Sequence, residues 1–383
     1  MHSSAAHATK AKLPHFDPRN RSLSESMRYY VARVTNKPYF HFMKFTASIH
    51  PYGRIPVKRI AGARIAGALL LVAAAPGGVG SSVVRWTAGT MPSAPKMQDQ
   101  VAAAVPGDIG PRFTHWIDGT TVSEPKMQVQ RIDSDTFVIR QSVKTNFEAP
   151  FLYLLFGQKC VLLIDSGAGG LKVRPTIDWL IADWQARHGG RTIHLVVAHS
   201  HGHGDHHAGD EEFRDRPDTD VVGLKPENVA AFFHIDDWPN RIGQYDLGGR
   251  VLDIIPTPGH EPAHIMIYDA RTRLLFSGDM LYPGRLYVPL DLFETFHASA
   301  NRLAAFAETH PIRAVLGAHI EMTTTPGQDY PMKAAAHPSE HSLALSPSTI
   351  GELQKAVAAE ASPPVVDRHS DFIIYPVPPR PAS

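Results

Sequence analysis

The amino-acid sequence predicts a layered α/β fold, with sheets covered by helices, beginning near residue 128. Three observations lead there. Short, continuously apolar runs such as Phe151–Phe156 (FLYLLF) and Cys160–Ile164 (CVLLI) read as strands. Val173, Ile177, Leu180, Ile181 and Trp184 recur at helical spacing. The apolar runs at 264–268 and 274–277 are near enough in sequence to form a hairpin, which argues against a purely parallel doubly wound sheet.

In chain order, strands are expected at 137–140, 151–156 and 160–164, then the helix after 173 and a strand at 193–198. A helix at 226–233 follows, then strands at 251–257, 264–268 and 274–277. A helix at 296–308, a strand at 314–317 and a helix at 348–359 complete the pattern. This divides the chain into a leader (1–110), a catalytic domain (111–362) and a Pro-rich tail (363–383) that reads as extended and loosely packed.

The leader is expected to be poorly structured. Its run IAGALLLVAAA (65–75) is short for the roughly 20 apolar residues of a membrane span. Preceded by Arg54, Lys58, Arg59 and Arg64, and ending in Ala73-Ala74-Ala75, it has the pattern of an export signal or membrane tether within 60–80. Without one, a cytoplasmic location is expected. WTAGTMPSAPKMQ (86–98) recurs as WIDGTTVSEPKMQ (116–128), a local duplication too short for a solenoid.

Lys and Arg number 38 against 37 Asp and Glu, so no overall positive charge points to a nucleic-acid partner. The single cysteine, Cys160, excludes an internal disulfide framework and a cysteine-rich zinc finger. Histidine stands out with 22 copies, five of them in HSHGHGDHHAG (199–209). That loop leaves an apolar strand, and three further strands also run through small residues into metal-capable side chains. They end in Pro258-Gly259-His260, Gly278-Asp279 and Gly317-Ala318-His319. His201, His203, Asp205, His206, His260, Asp279 and His319 are seven candidate ligands, too many for one tetrahedral ion but enough for two. Imidazole and carboxylate donors suit zinc, with iron and manganese as alternatives.

In these motifs the chain resembles the metallo-β-lactamase superfamily, over roughly residues 128–320. LLIDSGAG (162–169) is also similar to that family's Asp-x-Gly turn. The resemblance implies an αββα four-layer sandwich with two metals at the edge of the sheets. It implies that His201, His203 and His260 hold one metal, that Asp205, His206 and His319 hold the other, and that Asp279 bridges. Asp165 would support the histidine loop without being a ligand. The chain departs from the family in His207-Ala208-Gly209 and in Ala318, neither of which removes a ligand. His199 and His207 fall outside the ligand frame.

The implied activity is that of a dinuclear metal-dependent hydrolase, in which a metal-bridging hydroxide attacks a small ester, thioester, lactone or lactam. Asp205 would orient the nucleophile or shuttle its proton, and Tyr282, three residues after Asp279, is a candidate oxyanion donor. TPGHEPAH (257–264) resembles the glyoxalase II-like and lactonase-like branches. The alternatives are a mononuclear iron persulfide dioxygenase on the same ligands and a non-catalytic metal-binding module. A small-molecule substrate is the expected partner. HPSEH (337–341) reads as a polar loop before the last helix.

Overall fold

The computed structural model describes residues 111–379 and, upstream, three short strands. Two of these, β1 (Ala47–Ile49) and β2 (Ser82–Val84), pair antiparallel within a unit of their own, Met1–Pro92. The rest of the leader, with the apolar run at 65–75, lies outside the described residues. Among the described residues no helix is long and apolar enough to cross a membrane.

The second unit holds two large sheets. The first has β3 (Met97–Gln98), β4 (Met127–Asp133), β5 (Thr136–Gln141), β6 (Phe151–Phe156), β7 (Cys160–Ile164), β8 (His194–Ala198) and β9 (Thr219–Val221) side by side in that order. β4 to β7 form an antiparallel meander, whereas β7, β8 and β9 run parallel. Helix α1 (Arg174–Arg187) makes the crossover from β7 to β8, and the short α2 (Gly204–His207) and α3 (Glu211–Arg214) precede β9. After α4 (Pro226–Phe232) come β10 (Gly243–Asp246), β11 (Val251–Pro256), β12 (Ile265–Asp269) and β13 (Leu274–Gly278). Next are β14 (Arg285–Pro289), α5 (Phe293–Thr309), β15 (Ala314–Gly317), β16 (Ala344–Leu345) and α6 (Ser348–Ala359). The second sheet is ordered β10-β11-β12-β13-β15-β16, antiparallel except for the parallel pair β13–β15.

Alternation within the apolar runs explains the layering. Along β6, Phe151, Tyr153 and Leu155 join a core with Ile254, Ile265, Ile267 and Phe276 of the second sheet. The intervening Leu152, Leu154 and Phe156 pack with Ile177, Leu180, Ile181 and Trp184 of α1. On β12, Met266 and Tyr268 turn outward to meet Phe296, Leu303 and Leu353 of α5 and α6. β6 and β12 are buried on both faces, so their sequences are almost continuously apolar. The result is helix, sheet, sheet, helix: the expected αββα sandwich.

The tail departs from expectation. It forms β17 (Asp367–Arg368) and β18 (Ile373–Val377), and β18 lies parallel to β14 in a third sheet. Phe372, Ile373 and Ile374 are all buried, and Phe372 and Ile374 join the core beneath α5 and α6. Three adjacent large apolar side chains outweigh the proline content that suggested loose packing. The packed unit therefore continues past 362, to at least Val377.

Candidate metal centre and its cavity

The segments that carry the candidate ligands and Asp165 all leave the C-terminal ends of strands of the two sheets. β7 runs into Asp165, β8 into the histidine loop, β11 into His260, β13 into Asp279 and β15 into His319. Two of these approaches need glycine. At Gly278 (φ 51) an added Cβ would lie 2.7 Å from Ser200 Cβ and 2.8 Å from His264 Nε2. At Gly259 (φ 141) it would meet Phe296 Cα of α5 at 2.4 Å.

The seven predicted residues converge as two groups, His201, His203 and His260, and Asp205, His206, Asp279 and His319. In the first, His260 Nε2 stands 3.2 Å from His201 Nε2 and 2.9 Å from His203 Nδ1. In the second, Asp205 Oδ2 is 3.3 Å from both His206 Nε2 and His319 Nε2. Asp279 faces both groups. Its Oδ1 is 3.6 Å from His206 Nε2 and 3.4 Å from His319 Nε2. Its Oδ2 is 3.6 Å from His260 Nε2 and 3.9 Å from His201 Nε2.

The far side of each ring fixes which nitrogen faces inward. His206 Nδ1 donates to Asp165 Oδ2 (2.9 Å), His260 Nδ1 to the Tyr287 carbonyl (2.6 Å) and His319 Nδ1 to the Glu148 carbonyl (2.8 Å). His201 Nδ1 lies 3.1 Å from Ser200 Oγ. Four Nε2 atoms are thereby turned inward. Asp165, at φ 66, is in the left-handed region, where aspartate is tolerated. It also accepts from the Ser200 backbone N–H at 2.7 Å, which ties the start of the histidine loop to the end of β7. His199 is buried and bonded to Asp210 Oδ1 at 2.8 Å, a brace beneath the loop.

The electrostatics favour positive charge here. Burial, with the crowding of His206 and the other imidazoles, holds His201 well below the usual histidine range, a neutral donor. Burial pushes His206 and His319 the same way, but the carboxylates around them outweigh it: His206 rises far above its ordinary value and His319 to about 10. Asp205 and Asp279 are held ionised, burial being overcome chiefly by His206 in the first case and His319 in the second. Asp279 Oδ1 is buried and accepts no well-formed hydrogen bond. Inward-facing imidazole nitrogens, two ionised carboxylates and an unsatisfied carboxylate oxygen fit two divalent cations.

Sequence reasoning missed His264. Its Nε2 accepts the Asp279 backbone N–H at 3.1 Å, so its Nδ1 carries the proton and donates to Thr257 Oγ1 at 2.8 Å. The second histidine of TPGHEPAH was the available signal.

The centre opens into a cavity of about 390 Å³ lined by His203, Asp205, His260, Asp279 and His319, with Glu148, Tyr282, Tyr287 and Glu321 on its walls. Burial, outweighing the pull of His319, pushes the Glu148 carboxyl up to about 7. Tyr282 is buried against His319, its hydroxyl turned to the Arg285 carbonyl and, at 3.0 Å, to Glu321 Oε2. The Tyr287 hydroxyl accepts from Arg285 Nε at 2.9 Å and keeps its own proton to give. HPSEH is more than a polar loop. His337 is buried, stacks on Tyr330 at 4.4 Å and lines a second cavity, and Glu340 pairs with the buried Arg140 of β5.

Residues 146–319 match the family model described as the Metallo-beta-lactamase superfamily. They form a metallo-beta-lactamase superfamily domain. A hydroxyacylglutathione hydrolase from Rhizobium meliloti (strain 1021) is 29% identical over 161 residues, 40% of this chain and 59% of that protein. The matched stretch thus spans under two thirds of that relative's length. An acyl-coenzyme A thioesterase MBLAC2 from Gallus gallus is 24% identical over 223 residues, 50% of this chain and 79% of its own. Among solved structures, a metallo-beta-lactamase from Pontibacter korlensis aligns over 61% of this chain and all of its own, at 16% identity and a TM-score of 0.40. The superfamily relatives are hydrolases by name, one of them a thioesterase.

Proposed function

We propose that this protein is a dinuclear metal-dependent acyl hydrolase, and that its substrate is a small thioester or ester. The observation that carries the reading is the Asp279 carboxylate, one oxygen turned to each ligand group at the floor of a solvent-reached cavity. Support for the thioester comes from the two relatives, a hydrolase of an acylglutathione and a thioesterase.

Two bound divalent cations, zinc by the donor set, would supply a water that is nucleophilic near neutral pH and a Lewis acid for the carbonyl oxygen. His201, His203 and His260 would hold one cation and Asp205, His206 and His319 the other, with the Asp279 carboxylate facing both groups. Asp165 keeps His206 in the tautomer that presents Nε2 inward. Asp205, partly exposed to the cavity, can accept a hydrogen bond from the attacking water and orient it. The Tyr287 hydroxyl, held by Arg285, donates a hydrogen bond to the substrate carbonyl as negative charge develops there.

Metal content by elemental mass spectrometry, read beside hydrolysis of a thioester, ester, lactone and β-lactam panel, tests the reading. Two zinc ions per chain and thioester turnover abolished by Asp279→Ala are expected. Tyr287→Phe should lower kcat roughly a hundredfold to a thousandfold, while Tyr282→Phe should cost less because that hydroxyl already points to Glu321 and the Arg285 carbonyl. One iron per chain with oxygen consumption would instead assign the dioxygenase chemistry and sink the hydrolase.

A further inference from the structure

Beside the metal cavity lies a second one of about 220 Å³, and Glu148, Tyr287 and Glu321 line both. Its remaining lining has two characters. Phe147, Pro331 and Met332 give it apolar walls, and Phe147 and Met332 are large apolar side chains left exposed. Lys333 gives it a cation, with its ammonium 5.2 Å from the centre of the Phe147 ring.

The cavity's other cation, Arg285, is already engaged. Arg285 donates to Tyr287, Asp329, the Tyr330 carbonyl and Glu321, which leaves its fork little to offer a ligand. The Tyr330 hydroxyl donates to the Pro338 carbonyl at 2.8 Å. His337 stacks on Tyr330, and its buried Nδ1, 3.4 Å from Glu340, makes no hydrogen bond; beside that carboxylate the ring is a donor or acceptor and not a free cation for a ligand. Lys333 is different: among the described residues it has a ring beneath it and no carboxylate partner. It also sits at φ 60, the left-handed region, where a lysine is unusual. Backbone strain of this kind clusters at ligand-binding positions.

We propose that this second cavity is an acyl-chain subsite specific for a terminal carboxylate, with Lys333 as its anchor, so that the preferred substrate is the half-thioester of a short dicarboxylic acid. The proposal rests on the acyl-hydrolase reading above. The scissile carbonyl lies over the metal centre, the methylene chain passes Tyr287 into the apolar walls, and the far carboxylate meets the Lys333 ammonium. About 220 Å³ is below the roughly 300–1,000 Å³ of a site for a drug-sized ligand, so it suits a short chain and not a bulky thiol carrier. A single unpaired cation, with Glu148 and Glu321 on the adjoining wall, matches one negative charge better than a phosphate dianion.

The test has a kinetic arm and a binding arm. In the first, zinc-loaded protein is given half-thioesters of dicarboxylic acids of increasing length, neutral thioesters of matched length, and one phosphate-ended analogue. The carboxylate-ended series is expected to show the higher kcat/KM, mainly through KM. Lys333→Ala should lower the ratio of carboxylate-ended to neutral kcat/KM roughly fivefold, Lys333→Glu should lower it further, and Lys333→Arg should restore most of it. In the second arm, calorimetry compares free dicarboxylic with monocarboxylic acids of equal length. Both can reach the metal centre with one end, so only the difference reports the subsite. Dicarboxylates should bind more tightly to the wild type, and this advantage should vanish in Lys333→Glu.

Equal binding of the two acid classes, or a preference indifferent to Lys333→Glu, overturns the subsite even if thioesters are turned over. A stronger preference for the phosphate-ended analogue overturns the carboxylate assignment. A Lys333-dependent preference in binding without hydrolysis of any thioester leaves the subsite standing and removes the acyl-hydrolase reading.

Discussion

His264 shows how much of the centre depends on a side chain that is not a ligand. Both ring nitrogens are committed, one to the Asp279 backbone N–H and one to Thr257. The ring also packs against His201, with centroids 5.2 Å and planes 29° apart. His264→Phe keeps the ring but orphans a buried N–H and a buried hydroxyl, at about 1–3 kcal/mol for each such group. Asp279, whose carboxylate faces both ligand groups, would lose the anchor of its own backbone. Zinc affinity, measured by competition with a chromophoric chelator, is expected to fall roughly tenfold to a hundredfold. A variant that loses stability but binds zinc as the wild type does would show that His264 is only a packing residue. Asp165→Asn can be read the same way. The amide can still accept from Ser200, but a neutral oxygen holds the His206 Nδ1–H less firmly. A smaller loss of affinity is therefore expected there than for Asp279→Asn, which places an amide between both ligand groups.

At the level of elements, the tail matters more than its composition suggested. β18 pairs along the whole of β14, from Arg285↔Ile373 to Pro289↔Val377, and β14 carries the Arg285 and Tyr287 that line the cavities. Ile374 is fully buried, so Ile374→Ala should destabilise the fold by about 2–5 kcal/mol, seen as a lower urea midpoint. A midpoint within error of the wild type would mean the tail is not held as the structure has it. The ligand-bearing elements were legible in sequence because each is an apolar strand ending in small residues before an imidazole or carboxylate. The run at 348–359 matched α6 to the residue, since its apolar positions Ile350, Leu353 and Val357 keep helical spacing. β14, β18 and the 320–343 segment were not legible, for a common reason. Their burial comes from partners distant in sequence, as in the Arg140–Glu340 pair, and local pattern cannot reveal such a partner. Tyr287 was hidden in the same way: the stretch MLYPGRLYV holds two tyrosines, and only the fold shows which hydroxyl keeps a proton for the cavity.

For the whole molecule, the architecture separates what holds the fold from what performs the chemistry. Apolar cores fill the space between the sheets and beneath the helices, while the candidate ligands sit on loops and the short α2 beyond the strand ends. Those cores are complete without an ion, so metal removal should not unfold the protein. It should nevertheless lower its stability, because loops drawn together by cations would again face one another with crowded imidazoles and buried carboxylates. Mass action sets the scale. An ion at a hundredfold excess over its Kd adds about 2.7 kcal/mol, and in a domain of this size each kcal/mol moves the melting midpoint by roughly 2–4 °C. Chelator-treated protein is therefore expected to keep its far-ultraviolet circular dichroism and to melt roughly 5–10 °C lower for each emptied site. Added zinc should restore the midpoint, and Asp279→Asn should restore less of it, since neither group then has a full negative charge from that side chain. A melting curve indifferent to chelator and to added zinc or iron would mean that the seven side chains hold no cation, and the proposed hydrolase would fall with them. Unfolding on chelation would instead show that the ions are part of the core's stability, so that fold and chemistry are not separable in this molecule.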